Sequence, residues 1–142
     1  MKVLVLAPLA FAGFLSAAFS YSVSAQSEEL DAGRGHYLAN CASCHGVKLE
    51  GQPDWMKRLP SGRLPAPPHD ETGHTWHHSD KQLFTIVKRG LAAISPGYNS
   101  DMPAFEGVLT DAEIQAVLDY IKSTWPERAR AYQKDRSLAD PR

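Results

Sequence analysis

The sequence is poor in cysteine, in net charge and in long apolar runs. Its 142 residues hold two cysteines and a formal net charge of −1. Two cysteines are too few to staple a small disulfide fold. A near-neutral chain lacks the basic surface of a nucleic-acid binder, so no nucleic-acid partner is expected. No apolar run after Phe19 exceeds four residues, which excludes a multi-span membrane protein. Hydrophobic side chains make up 43% of the chain, and much of that share lies in the first 25 residues. The remainder must fold around a lean core with ten prolines and ten glycines in the chain. An apolar group from outside the chain would help it.

Residues 1–25 read as a secretory signal. Lys2 precedes an apolar stretch from Val3 to Phe19, and Val23-Ser24-Ala25 ends in the small residues a signal peptidase reads. Cleavage before Gln26 is expected, which makes the protein periplasmic or otherwise exported. The stretch is marginal as a membrane span, so a membrane association follows only if the signal is retained. The expected organisation is a signal over 1–25, one domain over 26–126, and a polar C-terminal tail over 127–142, solvated or loosely helical.

Three helices are expected. The first covers residues 26–45, with Ser27 as its cap and Leu30, Tyr37, Leu38 and Cys41 near one face. Gly33 and Gly35 are poor helix formers and need a reason, such as the close approach of another element. The second covers residues 79–90: Ser79-Asp80-Lys81-Gln82 fits a capping box and Gly90 a C-terminal cap. The third opens on a second capping box, Thr110-Asp111-Ala112-Glu113, carries Ile114, Val117, Leu118 and Ile121 at helical spacing, and stops before Pro126. Between the first two helices runs a loop, 46–78, with Pro53, Pro60, Pro65, Pro67 and Pro68. Its Trp55, Trp76 and four histidines suit a loop packed on something rather than a disordered one. The fold class is therefore all-α with long loops.

Both cysteines lie in Cys41-Ala42-Ser43-Cys44-His45. This is the C-x-x-C-H pattern of c-type haem attachment. Two thiols three positions apart at a helix end can each add to one vinyl group of a haem, and the adjacent imidazole then reaches the iron from the same side. A redox dithiol or a plain disulfide would not need His45, and the chain lacks a βαβ pattern. One covalent haem c, with His45 as an axial ligand of its iron, is the expected cofactor.

The second axial ligand is expected to be Met102. It lies in a loop before the last helix, with Pro103 after it and the polar run Tyr98-Asn99-Ser100-Asp101 before it. That flank does not suit a core methionine. A thioether is a soft ligand that favours ferrous iron and raises the potential. Met56 is too near His45 in the chain to cross to the opposite face.

The Cys41–Gly46 motif, Met102-Pro103-Ala104-Phe105 and the Thr110–Trp125 helix together resemble the class I monohaem cytochromes c, over about residues 29–125. The resemblance implies that the first and last helices cross near the haem, a small residue of one facing an aromatic of the other. Gly35, with Tyr37 beside it, and Tyr120 fit those roles. It also implies a proline carbonyl against the proximal imidazole, for which Pro65 and Pro67 are both candidates. Trp76 either contacts a haem propionate through its indole N–H or packs in the core. The chain departs from the family in the stretch 64–78, where His69, His74, His77 and His78 crowd together. They either surround the haem or hold a second ion, copper or zinc.

The expected function is one-electron transfer between redox partner proteins, without catalysis by the chain itself. The alternative is a haem-bearing electron-relay subunit of a larger oxidoreductase, or a copper-handling protein using the histidine-rich loop.

Overall fold

A computed structural model describes residues 13–140, and for residues 13–24 the backbone alone. Residues 1–12, most of the expected apolar stretch, lie outside the described residues. The described chain is helical with no strand. Helix α1 spans Gly13–Asn40, the short α2 Ala42–His45, α3 Asp80–Arg89, α4 Asp111–Ser123 and α5 Glu127–Ala139. Single 3-10 turns occur at Thr75–His77 and Leu91–Ala93. Among the described residues no helix is long and apolar enough to cross a membrane.

The capping boxes behave as the sequence predicts. Ser79 Oγ accepts from the Gln82 amide while Gln82 Oε1 accepts from the Ser79 amide. Thr110 and Glu113 reciprocate in the same way at the start of α4. Each box satisfies amides that the first helical turn leaves unpaired. The first helix departs from expectation. Residues 14–25 contain neither glycine nor proline, so α1 runs back to Gly13 and Ser27 lies inside it rather than capping it. At the other end the chain breaks at Cys41, and α2 begins as a separate turn.

α1 and α4 pack against each other as the central pair, with Tyr37, Ile114, Val117, Leu118, Ile121 and Trp125 forming the core. The two helices approach closely at Gly33. A Cβ there would stand 2.1 Å from the Ala116 carbonyl oxygen and 3.2 Å from Tyr120 Cβ. Gly33, not Gly35, is therefore the small residue facing Tyr120: a Cβ at Gly35 would meet nothing within 4 Å. Tyr37 completes the crossing, its ring 5.6 Å from that of Tyr120 and its hydroxyl donating to the Gly46 carbonyl at 2.8 Å.

Residues 127–139, expected to be a solvated tail or a loose helix, form α5, which is docked on the start of α3. Ala129 and Gln133 are buried. Gln133 Nε2 donates to Asp80 Oδ1 at 2.8 Å and to Ser137 Oγ at 2.9 Å. Ser79 Oγ donates to Asp140 Oδ2 at 2.7 Å, and Lys122 of α4 reaches Asp80 at 2.7 Å. The helix is polar along most of its length, so its apolar pattern is too weak to advertise packing. Buried polar partners hold it instead.

Candidate functional site

The site is built where the end of α1 meets the long loop. Cys41 and Cys44 lie on one helical turn, the His45 amide donating to the Cys41 carbonyl at 2.9 Å. Both thiols are free, Cys41 half-buried and Cys44 exposed. Burial, with the Cys44 charge adding to it, pushes the Cys41 thiol up to about 11.

His45 is buried, and burial lowers its pKa although the Pro67 hydrogen bond opposes the shift. Its Nδ1–H donates to the Pro67 carbonyl at 2.8 Å. The structure thus chooses Pro67 over Pro65. That bond fixes the tautomer and leaves the Nε2 lone pair as the ring's ligating atom.

The carbonyl is carried there by backbone pairing on both sides of it. Gly51 N–H donates to His45 O, Gln52 N–H to Ala66 O and His69 N–H to Leu49 O, at 2.8, 2.9 and 2.8 Å. Leu49 is a buried non-glycine residue at φ 68°, a conformation that costs about 1–3 kcal/mol. It turns its carbonyl to receive both the His69 and the Asp70 amides. Gly51, at φ +69°, touches the Pro67–Pro68 peptide so closely that a Cβ would lie 2.4 Å from Pro68 N. Sequence reasoning missed Leu49 and Gly51. Only a glycine in a proline-rich loop hinted at the second, and nothing marked the first.

The four loop histidines do not converge on one point. His69 stacks on His45 with ring centroids 4.0 Å apart. His74 stacks on Trp55 at 5.3 Å and meets His78 edge-on at 5.4 Å. His77 lies between Trp76 and Tyr132. Burial lowers the pKa of His69 well below the ordinary value, and the charges of His45 and His74 add to that; it also lowers His74, helped by His78 and His77. Among the described residues no three His, Cys, Asp or Glu side chains gather to hold a metal ion.

Trp76 is half-buried, and its Nε1–H is buried without a hydrogen-bond partner among the described residues. Its ring is held by His77, by Tyr132 at 5.3 Å and by Arg128 at 5.9 Å, so α5 fixes it. A buried donor left unpaired costs about 1–3 kcal/mol, which a carboxylate acceptor at this place would recover.

Met102 is half-buried in the loop between α3 and α4, its amide donating to Ser100 Oγ at 3.1 Å. The loop is pinned on two sides. Phe105 N–H donates to Val87 O at 3.0 Å, and Asp101 lies 3.0 Å from Arg63 Nε in the long loop. Arg63 is another residue that sequence reasoning missed. Met56, by contrast, is 76% exposed.

The family model described as Cytochrome c matches residues 30–125. The chain belongs to the cytochrome c family. No curated protein and no solved structure matches it. Membership makes this a c-type haem electron-transfer protein carrying covalently bound haem c. The match begins within α1 and ends at Trp125, so α5 lies wholly beyond it. The side chains of this cytochrome fit such a group. They include two thiols on one turn, a buried imidazole whose Nδ1 is engaged by Pro67, and a buried indole N–H with no partner among the described residues.

Proposed function

We propose that the protein is an exported single-haem cytochrome that carries one electron at a time between redox partner proteins. Cys41 and Cys44 would hold the haem through two thioether links. His45 and Met102 would be its axial ligands, and Trp76 would donate to a propionate. The observation that carries the reading is the His45–Pro67 hydrogen bond at 2.8 Å, set on the same turn as the two thiols. It turns a histidine that could point anywhere into one presenting Nε2.

The haem supplies one-electron chemistry between ferric and ferrous iron. The chain's own residues set its conditions. Pro67 holds the imidazole and raises its basicity as a ligand. Met102 is the soft ligand that favours the ferrous state and so raises the potential. Two protein ligands leave no open position for substrate, which suits a carrier rather than an enzyme. Tyr37, Leu49 and Leu83, all buried, keep water from this end of the core. The histidine-rich loop belongs, on this reading, to the surroundings of the haem and not to a copper or zinc site.

Cleavage before Gln26 would divide α1 and leave the α1–α4 crossing intact, since Gly33 and Tyr37 lie beyond that point. Intact mass of protein from the native host should equal the chain from Gln26 onward plus one haem, resistant to acid–acetone extraction. Oxidised protein should show the weak sulfur-to-iron band near ~700 nm expected of His/Met ligation. Met102→Ala should abolish the band and lower the potential while the fold survives. A band and potential unchanged in Met102→Ala would overturn the ligand assignment, and haem released into the organic phase would overturn the covalent one.

A further inference from the structure

Among the four loop histidines, His69 alone is placed against His45. It follows Pro67-Pro68, so the segment that bonds one edge of the His45 ring turns back and covers its face. The two imidazoles lie 22° from parallel with centroids 4.0 Å apart. A planar ring at that distance blocks rotation of its neighbour about Cβ–Cγ, because any turn drives the ring edge into the face above it.

His69 is itself held through both its ring and its backbone. Its Nδ1 lies 2.8 Å from Thr75 Oγ1. The Thr75 hydroxyl is directed at the Pro68 carbonyl, 3.4 Å away, so its lone pair accepts from His69 Nδ1–H. The His69 amide donates to Leu49 O at 2.8 Å, and its carbonyl accepts from Trp125 Nε1 at 2.7 Å. Tyr37 meets the ring edge-on at 6.3 Å. The Leu49 turn and Trp125 thus fix the backbone at His69, and Thr75 of the 3-10 turn fixes the ring upon it.

We infer that His69 is a positioning residue for His45, its stacked ring and the Pro67 carbonyl together fixing the angle at which the proximal imidazole meets the haem. The inference rests on the reading of His45 as an axial ligand. Pro67 alone restrains one edge of the ring and tolerates a swing about the hydrogen-bond axis. The face contact from His69 removes that swing. Ring azimuth sets how the ligand's π orbitals split the iron d levels, so it is readable in the spectrum of the ferric protein even where the electron-transfer rate does not change.

The test compares ferric holoprotein of wild type, His69→Phe, His69→Ala and His69→Leu by electron paramagnetic resonance at low temperature, with far-UV circular dichroism and thermal melting as controls for folding. His69→Phe keeps a planar face and should retain the wild-type g values. His69→Ala and His69→Leu remove it and should give broadened or multiple low-spin signals. Should His69→Ala fail to fold, the Phe and Leu pair makes the same comparison. Wild-type g values and line widths in the Ala or Leu variant would overturn the inference, as would a Phe variant as disordered as Ala. Failure of the underlying reading shows separately: His45→Gly should lose the low-spin signal and free imidazole should restore it, whereas a wild-type low-spin signal retained without imidazole would mean that His45 is not the ligand and that His69 has nothing to position.

Discussion

Replacing Gly33 by alanine tests the helix crossing most directly, and Gly35→Ala is its internal control. At Gly33 the new methyl carbon would stand 2.1 Å from Ala116 O and 2.7 Å from its carbonyl carbon. Non-bonded carbon contacts settle at about 3.5–4.0 Å, so α1 and α4 must part by roughly 1 Å. The obstructing atoms are backbone and have no rotamer to yield. Overpacking of this kind costs about 1–3 kcal/mol, and two opposed helix backbones place it at about 3. Alanine's better helix propensity returns up to ~1 kcal/mol. A net loss of about 2 kcal/mol follows. At Gly35 a Cβ meets nothing within 4 Å, so only the propensity gain of about 0.5–1 kcal/mol remains. The same substitution two residues apart should change sign. Guanidinium unfolding of the ferric holoprotein, followed by far-UV circular dichroism, measures both. Two variants within about 0.5 kcal/mol of each other, a difference that ordinary surface substitutions span, would refute the crossing. A Gly35→Ala protein less stable than Gly33→Ala would do so as well.

Two further outcomes concern the docking of α5. Gln133→Ala removes the donor to Asp80 and Ser137 from a side chain only 2% exposed, and should cost about 1–3 kcal/mol; an unchanged melting temperature would mean that α5 does not contribute to stability. Burial alone would raise the pKa of Asp80, but the hydrogen bonds of Lys122 and Gln133 and the Lys122 charge outweigh it and hold the carboxyl below its ordinary value. A depressed acid stabilises the folded state above its unfolded pKa of about 3.9, and that contribution is lost as pH falls through the lower folded value. Lys122→Met should therefore flatten the loss of stability below about pH 4, where Asp140 and Glu113, also held low, still leave a residual slope. Identical acid limbs in wild type and Lys122→Met would remove Asp80 from that account.

Much of this protein was legible in short spans of sequence because the physics there is local. A capping box needs two residues three apart, and the Ser79 and Thr110 boxes form as written. The apolar spacing of Ile114, Val117, Leu118 and Ile121 becomes the buried stripe of α4. Two cysteines and a histidine at fixed spacing in one turn point to haem c, because the attachment pattern is contained in five consecutive residues.

What remained for the tertiary structure depends on the path of the chain between distant residues. Gly33 and Gly35 are equivalent as letters, and only the position of Ala116 on another helix decides which one must lack a side chain. Pro65 and Pro67 are likewise equivalent until the pairing of Leu49, Gly51 and Gln52 with the 66–69 segment sets the register. The four histidines share a stretch of ten residues in sequence, yet one lies on His45 and the others do not, because the turn from Asp70 to Gly73 and a 3-10 turn redirect the chain between them. α5 was hidden for a related reason. Apart from Ala129, it is held by Gln133 donating to Asp80 and by Ser137 and Asp140 accepting from the start of α3, and a polar helix shows no stripe by which its sequence could announce a partner.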